Sequence, residues 1–264
     1  MAKLATIIGI NAHANPRFDL RGCVNDAESL ARLLVEQYGF AAPDIRTLTD
    51  GQATRSAILG ALREMLSRLG SGDTAVFGFS GHGTEVPNRD AGEAEAKDQC
   101  LVAHGSNLAS LIRDDELYEL VSQYVTGPEI KFTSIYDCCH SGTMYRLFEI
   151  DDDGNFAEEV INRHIDLGDL TELTVRTRAF DAQPFNSLSA CGDDETAADL
   201  RSVGPAGKAR GAFSYALHNF LRQNRDAPAA IAKPAILGAI KGVSKHVQNP
   251  AYLTIAAEEP LIRL

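Results

Sequence analysis

No stretch of eighteen apolar residues occurs in this 264-residue chain, so no membrane-spanning helix is expected. The N-terminal MAKLATIIGI has a single Lys and an apolar run of only about seven residues, too short and too strand-like for a secretory signal. Ile7, Ile8 and Ile10 read instead as a first core strand. There is no Gly/Ser-rich linker and no internal repeat, which predicts one domain over residues 1–264. Cysteine is scarce and odd in number: five residues, two of them adjacent, do not make a disulfide framework. That usage fits a reducing cytoplasm. Basic residues are outnumbered, 25 Lys and Arg against 36 Asp and Glu, for a net charge of −11. The deficit argues against a nucleic-acid partner and fits a cationic substrate or a bound cation. What is present is an ordinary globular composition, 44% hydrophobic, enough for a full core.

The pattern along the chain alternates. Lys3 to Asn11 reads as a strand, Gly22 to Tyr38 as an amphipathic helix stopped by Gly39, and Ile45 to Leu48 as a short strand. Thr54 to Leu69 reads as a second helix and Thr74 to Ser80 as a buried strand. This β-α-β-α-β order predicts an α/β fold with a mostly parallel central sheet and helices on both faces. Gly83 to Lys97 reads as a polar loop, Cys100 to Ala103 as a small strand and Asp114 to Gln123 as a helix. Ile130 onward is a further strand. Residues 149–185 read as an exposed excursion, most irregular between Asp151 and Asp181. Asn186 to Ala190 is the next strand, Gly207 to Arg222 and Lys233 to Val247 are helices, and Tyr252 to Ile255 is an edge strand.

Two strand ends carry reactive groups. IKFTSIYDCCHSG, from Ile130, ends in Asp137, Cys138, Cys139 and His140. TAVFGFS, from Thr74, ends in Gly81, His82 and Gly83, with His82 lying 57 residues before Cys139. In open α/β sheets, ligands bind at the carboxyl ends of strands. A Cys and a His at two such ends have the form of a nucleophile and its base. Alternation turns Cys138 toward the core. For Cys139 the readings are a nucleophile, its thiol activated at a helix start, or a buried small hydrophobe. Ser80 does not make a serine-hydrolase elbow, because that motif needs Gly where His82 stands. Cys138, Cys139 and His140 lack the spacing of a structural zinc site. Asp151 to Gly154 does not open an EF-hand, whose twelfth position falls on Val160. Asp114, Asp115 and Glu116 suit a helix N-terminus, and with Asp98 they could hold a hard cation such as Ca²⁺.

Ser80-Gly81-His82-Gly83 and Asp137-Cys138-Cys139-His140-Ser141-Gly142 resemble the two catalytic motifs of metacaspases, the caspase-like cysteine peptidases. The resemblance runs over nearly the whole chain. Gly22-Cys23-Val24-Asn25-Asp26-Ala27 resembles the family's first helix. Asp98-Gln99-Cys100 and Ile112 to Leu117 resemble its calcium segments. Ser189-Ala190-Cys191 and Gly211 to Leu217 resemble its small subunit. The implied form is compact and prokaryotic, with a large-subunit-like part over about 1–148 and a small-subunit-like part over 186–264.

The resemblance implies a caspase-like fold and a cysteine endopeptidase that cuts after Arg or Lys. Cys139 is then the nucleophile and His82 the general acid/base. Cys23, Asp26, Ser80 and Asp137 line the pocket for the basic side chain, and N–H groups near Gly83 and Cys139 form the oxyanion hole. Asp98, Asp114 and Asp115 are the implied Ca²⁺ ligands, while a further family ligand, an acid seven residues after the nucleophile, falls on Arg146 here. Cys138 stands where Ser is commoner. The implied partners are protein or peptide substrates, with a cytoplasmic monomer and no membrane. Self-cleavage is expected in the excursion, at Arg163, Arg176 or Arg178. Two other readings stand beside this one. A catalytically weak or inactive caspase-like scaffold module normally lacks the Cys or the His, and a peptidase selective for Asp, Asn or Gly is opposed for Asp by the acids at 26 and 137.

Overall fold

A computed structural model describes residues 1–87, 97–105, 107–139, 146–150, 156–163, 165, 185–191, 195–253 and 256–264. The elements run β1 (Lys3–Gly9), α1 (Cys23–Tyr38), β2 (Ile45–Thr49), α2 (Arg55–Ser67) and β3 (Thr74–Ser80). Next come β4 (Gly83–Pro87), β5 (Lys97–Val102), β6 (Leu111–Arg113), α3 (Asp114–Ser122) and β7 (Lys131–Asp137). β8 (Arg146–Ile150), β9 (Phe156–Asn162), β10 (Asn186–Ser189), β11 (Ala198–Val203) and β12 (Lys208–Gly211) precede α4 (Ala212–Gln223), α5 (Ala229–Val243) and β13 (Ala251–Leu253).

The central sheet has six strands in the order β13-β10-β7-β3-β1-β2, all parallel except β13. Its two faces are covered by different helices, as the alternating pattern requires. Leu30, Leu33 and Leu34 of α1 pack with Phe213 and Leu217 of α4 and Ile236 and Ile240 of α5. Ile58, Leu62 and Leu66 of α2 pack with Leu117 and Leu120 of α3 on the other face. The start of α1 is fixed from outside the helix, where the Asn11 side-chain oxygen accepts the N–H groups of Cys23 and Val24. Gly39 closes it in the left-handed conformation, at φ 70°.

Four expectations need correction. The polar loop over 83–97 contains strands β4 and the start of β5, which with β6 form a separate antiparallel sheet in the order β4-β5-β6. The helix expected from Gly207 begins at Ala212, because Lys208–Gly211 pair with β11. The last helix runs Ala229–Val243, four residues earlier than its apolar pattern suggested. The excursion contributes β8 and β9 to an antiparallel sheet in the order β12-β11-β9-β8. Arg163, just past β9, is 0% exposed where an exposed basic residue was expected. Arg176 and Arg178 lie outside the described residues, as do His140 to Gly142 and the helix start expected there.

Candidate active site

β3 and β7 run parallel in register, with Ser80 opposite Asp137. His82 and Cys139 each stand two residues beyond that pair, so the sheet brings them to one edge on neighbouring strands. Neighbouring strands lie about 4.8 Å apart. Adjacent cysteines at the end of β7 face opposite ways. Cys138 joins the α2/α3 core and Cys139 the α1/α4 core, both fully buried. Burial pushes the Cys138 thiol well above its usual range.

The centre of the site is Arg163. Its carbonyl oxygen accepts two backbone N–H groups, from Gly83 at 2.9 Å and Cys139 at 3.2 Å. These are the two groups named in advance as oxyanion donors. Its own N–H donates to the Ala197 carbonyl at 3.2 Å, continuing the antiparallel pairing of β9 with β11. The Cys139 Sγ accepts the Ala197 N–H at 2.7 Å and lies 3.5 Å from the Ala197 oxygen. Thiol, paired donors and the Arg163 carbonyl are thus gathered around one peptide. The Cys191 thiol donates to the carbonyls of Glu195 at 3.4 Å and Cys138 at 3.7 Å, and it is pushed up, first by its hydrogen bond to Cys139 and then by burial.

The Arg163 guanidinium enters a pocket of carboxylates. Nη2 meets Asp26 Oδ2 and Asp199 Oδ1, each at 2.8 Å. Nη1 meets Asp137 Oδ2 at 3.1 Å and donates to Ser80 Oγ at 2.7 Å. The acids are held in turn. Asp26 accepts the Gly211 N–H and pairs with Arg210 Nε. Asp137 accepts the Ser214 N–H at 3.0 Å, and Asp199 accepts those of Arg21 and Gly22. Burial alone would raise Asp26, but Arg163 and Arg210 outweigh it and hold the carboxyl below its usual range. Burial, with Asp26 close by, raises Asp137. Burial also raises the Cys23 thiol, which lies beside Arg163 and Ser80 as a neutral wall. A Cβ at Gly211 would strike both the Asp137 carboxylate and the guanidinium, so that position must stay bare for the pocket to accept a large cation.

His82 is 2% exposed, and its Nε2 donates to the Phe18 carbonyl at 2.8 Å. That bond fixes the tautomer with the proton on Nε2 and leaves the lone pair of the neutral ring on Nδ1. The ring stands 5.2 Å from that of His13, whose pKa burial lowers to about 4. The carbonyl supplies the orienting group that the sequence did not reveal.

Of the expected cation ligands, Asp98 and Asp114 sit close enough to interact, and Asp115 adjoins Asp114. Burial, then Asp115 and Asp98, raise Asp114 to about 7. Asp98, however, pairs with the Arg113 guanidinium. Among the described residues no group of three His, Cys, Asp or Glu is arranged to hold a metal. In this arrangement Arg113 supplies the positive charge beside Asp98.

Through the family resemblance, sequence reasoning puts Cys23, Asp26, Ser80 and Asp137 in one pocket, and the structure brings them together around Arg163. It missed Asp199, Arg210, Gly211 and Ser214. The one available signal was Asp199 itself, an acid inside the otherwise apolar Ala197–Leu200. Three carboxylates around a guanidinium, two N–H donors on the carbonyl of the same residue, and a thiol and an imidazole thus meet at one end of the sheet.

The family profile described as metacaspase, peptidase C14 domain matches residues 3–148. Metacaspase-9 of Arabidopsis thaliana is 30% identical, over 85% of this chain and 85% of that protein. Metacaspase-1 of Scheffersomyces stipitis is 27% identical over 84% of this chain, which spans 63% of the relative's length. Among solved structures, a protein of Geobacter sulfurreducens superposes with a TM-score of 0.66 at 22% identity, covering 96% of this chain and 93% of its own. Caspase-1 of Spodoptera frugiperda superposes with a TM-score of 0.57 at 10% identity, covering 96% and 86%. The likeness to these two structures carries the caspase-like fold. On the family profile and the Arabidopsis relative, the chain belongs to the metacaspases, a family of cysteine-type peptidases.

Proposed function

We propose that this chain is a cysteine endopeptidase that cuts after arginine, and after lysine less well, and that the bond following its own Arg163 is its first substrate. The observation that carries the reading is the seat of Arg163: guanidinium among Asp26, Asp137 and Asp199, carbonyl between the Gly83 and Cys139 N–H groups. Charge-assisted contacts of this kind favour the planar guanidinium over the compact ammonium. An aspartate side chain would add a fourth carboxylate and be rejected.

The reaction follows from the same residues. His82 Nδ1 takes the Cys139 proton and the thiolate attacks the carbonyl carbon after the basic side chain. Negative charge moves onto the oxygen held by the Gly83 and Cys139 N–H groups. The imidazolium returns its proton to the departing amide nitrogen, the C–N bond breaks, and an acyl-enzyme remains. Water, deprotonated by His82, attacks the thioester and regenerates the thiol. A reducing compartment such as the cytoplasm keeps that thiol competent; all five cysteines are free.

Stimulation by Ca²⁺ rests on the family resemblance and on the mutual repulsion of Asp98, Asp114 and Asp115. A cation arriving there must compete with Arg113 for Asp98. Calorimetry with millimolar Ca²⁺ tests it directly: no heat of binding removes calcium from the reading. The main test is turnover of matched Arg, Lys and Asp fluorogenic peptides, with intact-mass analysis of the enzyme alone. Arg above Lys, no cleavage after Asp, and two fragments ending and beginning at Arg163 and His164 are expected. An uncut chain inert toward all three peptides would favour the scaffold reading.

A further inference from the structure

Two residues past Arg163 the chain is held again. The Ile165 N–H donates to the Gly83 carbonyl at 2.9 Å, and its carbonyl accepts the Thr84 hydroxyl at 2.5 Å. Its side chain is 0% exposed. It does not enter either core of the central sheet. It packs in a small separate cluster with Val86, Cys100, Val102 and Leu111, and Phe18 closes that cluster from the side. The four partners come from β4, β5 and β6, so the small sheet supplies both the backbone clamp and the apolar floor. Phe18 has a second role, since its carbonyl accepts the His82 Nε2 proton.

We propose that the β4-β5-β6 sheet is a subsite for the second residue beyond the cut bond, that it selects a medium aliphatic side chain, and that filling it steadies Phe18 and through it His82. The substrate class becomes Arg-x-Ile, with Val and Leu tolerated. This rests on the reading of Arg163 as the residue before the cut. The selectivity follows from burial. An aliphatic side chain gains transfer free energy in proportion to the area it hides, while a carboxylate placed among Val86, Val102 and Leu111 would be desolvated where the Arg113 guanidinium of the same sheet is already paired with Asp98. The coupling follows from shared structure. Phe18 is a positioning residue, and a subsite that packs against it acts on the orientation of the imidazole as well as on affinity.

The test uses the full chain and internally quenched peptides Arg-Gly-Xaa with Xaa Ile, Val, Ala, Phe or Asp, beside an arginyl coumarin amide that has nothing after the cut bond. The Ile peptide is expected to exceed the Asp peptide by about 10- to 100-fold in kcat/KM, the range set by burying one aliphatic side chain. Because of Phe18, a large share of that factor is expected in kcat rather than KM. Leu111→Ala enlarges the floor, and the ratio of Phe to Ile peptide is expected to rise, a change that general loss of structure does not produce. If all five peptides are cut equally while arginine remains required before the bond, the subsite is overturned and the peptidase reading stands. If the Ile preference lies wholly in KM, the coupling through Phe18 is overturned. If no arginyl substrate is cut, the peptidase reading fails and the subsite with it.

Discussion

At Arg163 one guanidinium faces three carboxylates, and Arg210 is the other cation that contacts Asp26. Removing one partner from a buried ion cluster typically costs about 3–5 kcal/mol, because the remaining charges stay buried. Arg163→Ala, made in a Cys139→Ala background to keep the chain intact, is expected to melt well below its parent. Millimolar agmatine, a free alkylguanidinium, is expected to restore much of the loss, and glutamate none of it. Thermal denaturation with each additive checks this; equal effects would mean that the pocket does not recognise the guanidinium. Asp26→Ala is expected to lower kcat/KM on arginyl peptides about 30-fold or more, while Cys139 stays alkylatable. Cys138→Ala, on the opposite face of the sheet, is expected to spare most activity, whereas Cys139→Ala abolishes it. Equal losses from the two cysteine changes would assign the wrong thiol. Single residues were legible where chemistry coincided with a strand end, as at His82 and Cys139; Asp26 was legible only through the family resemblance. Asp199 and the burial of Arg163 were not, since their contacts reach 36 and 137 residues along the chain.

The elements divide by the strength of their local pattern. α1, α2, β1, β3 and β7 have long periodic apolar runs, and each formed close to where its period placed it. β4 is short, and its alternation of Thr84 and Val86 with the half-buried Glu85 looks like loop, as does the start of β5, until a partner strand is known. α3 poses a sharper problem at its first residue, where burial and two neighbouring acids raise Asp114 to about 7. The folded chain therefore keeps a proton on Asp114 that the unfolded chain has released above its ordinary pKa near 3.8. Folding stability from this group is fully present at lower pH and falls as pH rises from about 4 to 7. Asp114→Asn, which stays neutral, is expected to flatten that fall and to exceed the parent in Tm at pH 8 in the presence of a chelator. Parallel pH–Tm curves for the two proteins would contradict it.

At the scale of the whole molecule, the cut expected after Arg163 need not separate the halves. Ile135 of β7 and Leu30 of α1 share a core with Phe213, Leu217 and Ile240, which come from beyond the cut. β10 stays paired to β7, and β11 to β9. Denaturing gels of incubated enzyme are expected to show two fragments, while gel filtration shows one particle of unchanged size. Fragments that part on the column would contradict the shared core. A large and a small part were expected from the family resemblance alone. Their interlocking was not, because a sequence does not state which helix covers which face.

The carbonyl of Arg163 is gripped by two N–H groups while the bond after it is intact. After the proposed cut, the new C-terminal carboxylate is expected to inherit the same grip, with its guanidinium still anchored. Scission and vacating the groove are then separate events, and the second sets a timer. External peptides should meet a lag that begins with completed cutting, decays as a first-order process, and has the same length at every enzyme concentration. The chain would carry its own delay between being made and being active, written into one arginine that must first be cut and then evicted.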